Sequence, residues 1–173
     1  SPRRFKRGLL GKRVRDLERR GKALIFSLDS GHFLIIHLRI AGWLVYGNEH
    51  PQARVVCMFA GRRFLNYMDR RALGEMRLVS DLGEYSFLRR LGPEPAAMDV
   101  EEFVARCKKR TTAIKNVLLN QTVIAGVGNI YAQEALFHAR IHPLRRAASL
   151  DRREIRRLHL TLCVVLEEGI SRQ

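Results

Sequence analysis

The chain has 173 residues, of which 46% are hydrophobic, so it can build a packed core without a disulfide or metal staple. Its 32 Lys and Arg against 17 Asp and Glu give a net charge of +15, which indicates a polyanionic partner. The ordinary apolar fraction excludes a disordered basic tail, and the apolar runs are too short for a membrane span or a signal peptide.

The densest run of charge lies at the start of the chain, where residues 1–22 contain ten Lys and Arg but only Asp16 and Glu18 as acids. From Lys22 onward the sequence is rich in Ile, Leu, Phe and Val, and Asp29-Ser30-Gly31 predicts the turn of a β-hairpin. Residues 54–59 and 63–68 flank a second turn at Ala60-Gly61. The pattern predicts that these four strands form one antiparallel meander.

A Pro/Gly cluster at 91–95 predicts a boundary between a domain of residues 1–95 and a domain of residues 96–173. Beyond it, apolar periodicity predicts four helices: one capped by Asp99 with Glu102 in a capping box, and others at 113–120, 130–139 and about 150–168. Residues 1–95 carry +10 and residues 96–173 carry +5, so both domains are suited to the same polyanion.

The stretch Gly126-Val127-Gly128-Asn129 directly precedes the third predicted helix. Two glycines in a tight turn direct backbone N–H groups toward a helix N-terminus, which is a favourable site for a phosphate, and the Asn129 amide adds a donor. The alternative is that Gly126 and Gly128 only permit a sharp connection between two packed helices.

The segment GVGNIYAQEALFHARIHP and the upstream KKRTTAIKNVLLNQ resemble the helix-two-turns-helix module of the formamidopyrimidine-DNA glycosylase and endonuclease VIII family. The segments ERRGKALIFSL, IIHLRIAGWL, MDRRALG and LGPEP resemble the same family in the same order. The resemblance implies an α+β fold: an antiparallel β-sandwich, incomplete in this chain, followed by an all-α helix-two-turns-helix domain, with DNA in the cleft between them. It also implies a bifunctional base-excision-repair glycosylase and AP lyase that flips out oxidised bases and nicks the abasic site.

Matched position by position, the resemblance implies roles for nine residues. Lys22 contacts phosphate beside the lesion and assists the elimination, and Arg71 pairs with the orphaned base. The residues implied to contact DNA are His50, Arg71, Arg110, Lys115, Gly128 and Asn129. Ile40 and Leu73 are implied to wedge into the base stack.

The sequence departs from the family pattern at both wedges. Ile40 stands where the family has a methionine, Ala72 replaces an arginine, and Leu73 replaces a phenylalanine. We expect altered lesion discrimination. Oxidised purines and oxidised pyrimidines both stay open as substrates, and oxidised purines are the expectation carried forward.

The family nucleophile is an N-terminal proline amine followed by a glutamate, whereas Pro2 follows Ser1 and precedes Arg3, so its nitrogen is an amide. Cys57, Cys107 and Cys163 are too few and too scattered for the family's four-cysteine zinc site. We therefore expect a catalytically inactive fragment with no metal or cofactor of its own, from a complete protein that binds zinc.

The expected partner is double-stranded DNA that contains oxidised bases or abasic sites, with no membrane partner. We expect a monomer in the bacterial cytoplasm, associated with the nucleoid. The alternative is a non-catalytic family member that binds damaged DNA or structured RNA.

Overall fold

The computed structural model describes residues 2–172, and contacts divide the chain into two compact units, Ser1–Arg89 and Arg90–Gln173. Expectations about Ser1 and Gln173 lie outside the described residues. The division precedes the sequence-based boundary at 95 because the segment 91–93 is bonded into the second unit. The Gly92 amide donates to the Gln121 carbonyl at 2.9 Å, and the Ala125 amide donates to the Pro93 carbonyl at 2.9 Å.

The first unit contains two antiparallel sheets. Its strands are β1 (Val14–Arg20), β2 (Ala23–Leu28), β3 (Phe33–His37), β4 (Gly42–Gly47), β5 (Val55–Phe59), β6 (Arg63–Asp69) and β7 (Glu75–Val79). The four-stranded sheet has the order β1-β2-β3-β7, and the three-stranded sheet has the order β4-β6-β5. Helix α1 (Pro2–Leu9) precedes the strands, and a 3₁₀ turn (Leu82–Glu84) and helix α2 (Ser86–Arg89) follow them.

The predicted hairpins β2–β3 and β5–β6 are confirmed, but the prediction of one continuous meander is wrong because the hairpins lie in different sheets. The chain leaves the first sheet in a tight turn after β3. Arg39 has a left-handed backbone there (φ 55°), and the Gly42 amide donates to the Leu38 carbonyl at 3.0 Å. After this turn the chain enters β4, which belongs to the second sheet.

The two sheets pack face to face. Phe26, Leu34 and Ile36 of the four-stranded sheet share one buried cluster with Leu65 and Tyr67 of the other sheet. The opposite face of the four-stranded sheet packs its Ala23, Ile35 and Val79 against residues 82–88. Because successive side chains in a strand point to opposite faces, both faces of β2 and β3 are apolar.

The second unit is helical, with α3 (Val100–Lys108), α4 (Ile114–Leu119), α5 (Asn129–His138) and α6 (Arg152–Ser171). The predicted Asp99 cap is confirmed, since its carboxylate accepts the Glu102 amide at 2.7 Å. Glu102 does not complete the predicted capping box, because its carboxylate binds Arg106 one turn later. The residues of α3–α6 and their connections form one apolar core, and the α+β fold class is confirmed. No helix within residues 2–172 has the length and apolar character needed to cross a bilayer.

Candidate nucleic-acid interface

Strand register gathers four of the predicted site residues at one end of the sandwich. Ala23 pairs with His37, and His37 pairs with Glu75, so the strand ends beside Lys22, Ile40 and Leu73 are neighbours. In the other sheet Gly42 pairs with Asp69, just before Arg71. We call this end of the first unit the wedge end, defined by Lys22, Ile40, Arg71 and Leu73.

The turn that carries Ile40 is fixed by its neighbours. The Arg39 amide donates to His37 Nδ1 at 3.1 Å, and the Arg39 guanidinium pairs with the Glu75 carboxylate on β7. A hydrogen bond from Arg39 lowers the pKa of Glu75, with a smaller contribution from Arg77. The ion pair holds the left-handed Arg39 in place, and Ile40 is left 83% exposed at the tip of the turn.

A buried carboxylate organises the turn that carries Arg71 and Leu73. Asp69 accepts hydrogen bonds from the Gly74 amide (2.7 Å), the Arg71 amide (3.1 Å) and the Tyr67 hydroxyl (2.8 Å). The Gly74 amide is the largest cause of the lowered pKa of Asp69. Burial, with the hydrogen bond to Asp69, raises the pKa of Tyr67 to about 12. Ala72 has a left-handed backbone (φ 53°), and Leu73 follows it, 44% exposed.

Lys22 occupies the tight connection between β1 and β2. Its side chain is exposed at the surface, but desolvation by neighbouring groups lowers its pKa. Nearby His37 is buried with its ring edge-on to Phe87 at 4.7 Å between centroids, and desolvation followed by the Arg39 charge lowers its pKa. Lys22 therefore carries a larger neutral fraction than an ordinary lysine while remaining accessible.

His50 lies in the β4–β5 loop and is held by Asn66, three residues before Asp69 on β6. Asn66 is fully buried: its carbonyl oxygen accepts the His50 amide at 3.0 Å, and its amide donates to the Val45 and Asn48 carbonyls. The imidazole Nδ1 of His50 accepts the Gln52 amide at 3.2 Å, so in that tautomer the other ring nitrogen carries a proton. The loop thus presents a donor that suits a phosphate oxygen.

In the second unit, Gly128 and Asn129 stand at the start of α5. Gly128 is the N-cap of α5 and supplies no side chain, so the first amides of the helix have no side-chain acceptor. Within residues 2–172 the Asn129 side-chain amide makes one long hydrogen bond, of 3.4 Å, to Gln133. The exposed Asn129 side-chain amide and the first amides of the helix therefore lie together at the N-terminus of α5, where the helix dipole favours a phosphate.

The turns before α5 are fastened by Gln121. Its carbonyl oxygen accepts the Gly126 amide at 3.0 Å, and its amide donates to the Leu119 and Val127 carbonyls at 3.0 and 2.9 Å. Gly126 has φ 87°, which favours glycine. Gln121 thus sets the path of the chain that delivers Gly128 and Asn129.

We expect Gln121→Ala to lower the free energy of unfolding of the second unit by about 2 kcal/mol, because partly buried backbone groups lose their partners. Affinity for duplex DNA should fall with it. Gln121→Glu keeps the acceptor for Gly126 but loses the donor to the Leu119 and Val127 carbonyls, so it should also be destabilised. Urea denaturation followed by far-UV circular dichroism checks the first effect, and unchanged stability of Gln121→Ala would contradict it.

Arg110 and Lys115 are placed by a different part of the second unit. The Arg110 carbonyl accepts the Ala148 amide at 2.9 Å, and the Lys115 amide donates to the Pro143 carbonyl at 3.2 Å. Arg110 is exposed and Lys115 is partly exposed. Within residues 2–172 no hydrogen bond joins either residue to Gly128 or Asn129, although α4 and α5 are in contact.

Comparison with known proteins matches both units to one family. Residues 1–76 match the model of the formamidopyrimidine-DNA glycosylase N-terminal domain, and residues 91–173 match the model of its H2TH domain. A formamidopyrimidine-DNA glycosylase from Herpetosiphon aurantiacus is 40% identical, over 99% of this chain and 65% of its own length. The Lactococcus lactis formamidopyrimidine-DNA glycosylase bound non-covalently to DNA containing an abasic site is 33% identical, with a TM-score of 0.89 over 99% of this chain and 68% of that one.

The chain belongs to the formamidopyrimidine-DNA glycosylase family. It spans about two thirds of the length of the curated relatives that it matches, 65% for the first of them. A second structure of the Lactococcus lactis glycosylase, in complex with DNA that contains a Fapy-dG lesion, has a TM-score of 0.89 and 33% identity over 98% of this chain and 66% of that one.

The described residues of this family member do not fit a zinc site. Among residues 2–172 no group of three or more His, Cys, Asp or Glu side chains is placed to hold a metal. Cys107 is buried in the helical core, which raises its pKa to about 12, and Cys57 lies on β5.

The family motifs predict exposed residues of the candidate interface but not the residues that hold them in place. Asn66, Asp69, Glu75 and Gln121 have no predicted role in the sequence. A polar Asn66 within an apolar strand was the available signal for one of them. Asp69 and Gln121 bind groups within six residues of themselves, in turns whose geometry no motif specifies, and Glu75 binds Arg39 from 36 residues away.

Proposed function

We propose that this chain supplies the DNA-binding and base-displacing part of a base-excision-repair glycosylase and AP lyase for oxidised bases, with oxidised purines as the favoured class. The observation that carries the proposal is the wedge end. There two exposed aliphatic side chains, Ile40 and Leu73, stand beside Lys22 and Arg71, on turns held by the Arg39–Glu75 ion pair and by hydrogen bonds to the buried Asp69. The Lactococcus lactis relatives bound to Fapy-dG and abasic-site DNA support the choice of ligand.

The two wedges suit a duplex from which one nucleotide has been extruded. An aliphatic side chain inserted between base pairs replaces part of the lost stacking, and a missing or damaged base reduces the cost of opening the stack. The planar guanidinium of Arg71 offers paired donors to the unpaired base opposite. Recognition therefore combines filling of the stack with hydrogen bonding to the orphaned base.

Phosphate contacts provide the remaining grip. Lys22 and His50 in the first unit, and Arg110, Lys115, Gly128 and Asn129 in the second, offer charges or N–H donors to the backbone. Such contacts position the duplex without reading its sequence. They make binding depend strongly on salt.

In this proposal the site residues assist the reaction but do not supply the nucleophile. Pro2 follows Ser1 in this sequence, so its nitrogen is an amide and does not serve as the nucleophilic amine. Lys22, with its lowered pKa, can donate or accept a proton beside the sugar. We propose that the complete protein also binds zinc and acts as a monomer at the bacterial nucleoid.

Binding of the 173-residue chain to a duplex with a stable abasic-site analogue tests the proposal, with the intact duplex as reference. We expect tighter binding to the abasic duplex. If Lys22, Arg110 and Lys115 each neutralise one phosphate, the affinity should fall about 40-fold between 50 and 200 mM salt. Equal affinity for both duplexes, or affinity that is insensitive to salt, would overturn the proposal.

Lys22 has a matched pair of variants. Lys22→Gln should reduce the salt slope by about 0.9, the value for one lost phosphate contact, and Lys22→Arg should retain the slope. Borohydride trapping on the same abasic duplexes tests the assignment of the nucleophile. We expect no covalent adduct with this chain, and an adduct would show that one of its own amines is the nucleophile.

A further inference from the structure

A second basic surface lies at the opposite end of the first unit from the wedge end. Helix α1 packs Phe5 and Leu9 into the core between the sheets, and Gly8 lies against Leu78 of β7. Lys12 and Arg13 follow α1, and the Arg13 carbonyl accepts the Asp29 amide in the β2–β3 turn. We call this the distal surface; its exposed basic residues are Arg3, Arg4, Lys6, Arg7, Lys12 and Arg13.

The length of β2 gives the separation between the wedge end and the distal surface. Lys22 precedes Ala23 at one end of β2, and Asp29 follows Leu28 at the other end. At about 3.3 Å per residue, β2 separates the ends by roughly 17 Å. A duplex that takes Ile40 and Leu73 into its stack lies across the wedge end, so it does not reach the distal surface without a sharp bend.

The charges of α1 oppose the stability of the helix itself. Its first turn contains no acidic residue and carries Arg3 and Arg4, where the helix dipole favours negative charge. Arg3 and Arg7 are four residues apart on the face opposite Phe5 and Leu9, and like charges at that spacing repel. In the part of the chain that the structure describes, Arg3, Lys6 and Arg7 form no salt bridge. A local arrangement that costs stability without an internal gain is typical of a binding surface.

Nearby acids only partly offset this charge. Asp81 and Glu84 are engaged in a capping box around residues 82–84. The Ser80 hydroxyl is the largest cause of the lowered pKa of Glu84, and Arg4 adds a smaller contribution. With Asp29 they are three acids against six basic side chains, so the distal surface remains positive.

We propose that the distal surface binds the phosphate backbone of a second duplex DNA segment while the wedge end holds the first. Nucleic acid is favoured over an acidic membrane because Phe5 and Leu9 pack against the core, and exposed Leu10 is a single apolar side chain beside six basic ones. Contacts to phosphates do not depend on sequence, so this surface would keep the protein on DNA and permit transfer between segments. The proposal for the distal surface rests on the proposed function in one respect, the identity of the DNA held at the wedge end.

A two-duplex capture experiment tests the proposal with the full 173-residue chain. An abasic-analogue duplex is immobilised and saturated with protein, and a labelled intact duplex is then added in solution. The chain should capture the labelled duplex, and Arg3→Gln/Lys6→Gln/Arg7→Gln should reduce capture at least fivefold with unchanged occupancy of the immobilised duplex. Arg3→Lys/Arg7→Lys retains the charge and should capture normally.

The outcomes separate this proposal from the proposed function. Absence of capture by the unaltered chain, or equal capture by the glutamine variant, would overturn the distal surface. Charge-dependent binding to vesicles with 30% anionic lipid, combined with unaltered capture in the glutamine variant, would assign the surface to membranes and also overturn it. Loss of preference for the abasic duplex alone would refute the wedge end and leave the distal surface standing.

Discussion

Replacing both wedges, Ile40→Ala and Leu73→Ala, should weaken binding to an abasic-analogue duplex about 100-fold, because each aliphatic side chain supports an opened stack whose cost is a few kcal/mol per step. Binding to the intact duplex should change less than threefold. Both side chains are exposed, so neither substitution removes core packing. Fluorescence anisotropy titrations of the two labelled duplexes at fixed salt provide the measurement.

The control for the wedge pair is a double variant of other exposed apolar residues, Ile130→Ala and Leu144→Ala in the second unit, which are 70% and 73% exposed. It removes a similar exposed apolar area and should leave the preference for the abasic duplex intact. An equal loss of affinity for both duplexes in the wedge variant would indicate a general defect. In that case Ile40 and Leu73 would not enter the stack.

The sequence is most informative where structure is local. The β2–β3 and β5–β6 hairpins have turn residues between apolar runs, and α3 and α6 have Asp caps and apolar periodicity, so each was predictable from a short window. Strand β1 was not predicted. It is an edge strand exposed along nearly its whole length, so it shows charge instead of apolar alternation.

The division into two sheets was not predictable from such patterns. It depends on the turn after His37, where Arg39 adopts a left-handed backbone that arginine rarely takes and Glu75, 36 residues later, pairs with it. The same holds for the interface. Motif matching predicts Ile40, Arg71 and Leu73, whereas the pairing of Arg39 with Glu75 that holds the Ile40 turn is visible only when distant segments meet.

Gly74→Ala should lower the free energy of unfolding of the first unit by about 3 kcal/mol, through overpacking and a disrupted buried hydrogen bond. A methyl group there would overlap the Tyr67 hydroxyl and lie 3.0 Å from the His37 carbonyl and 3.1 Å from the Asp69 carboxylate. These groups connect the turn that carries Leu73 to strands β3 and β6. We therefore expect loss of preference for the abasic duplex at temperatures where the unit is still folded.

The single tryptophan makes this effect measurable in one unit. Trp43 lies on β4 opposite Met68, so its fluorescence during urea denaturation reports the first unit, while far-UV circular dichroism follows the helices of the second. Gly61→Ala is the matched control. Gly61 has φ 74° and open space around it, so its substitution should cost only about 1 kcal/mol of backbone strain. If Gly74→Ala cost no more stability than Gly61→Ala, the close approach at Gly74 would not hold the wedge turn.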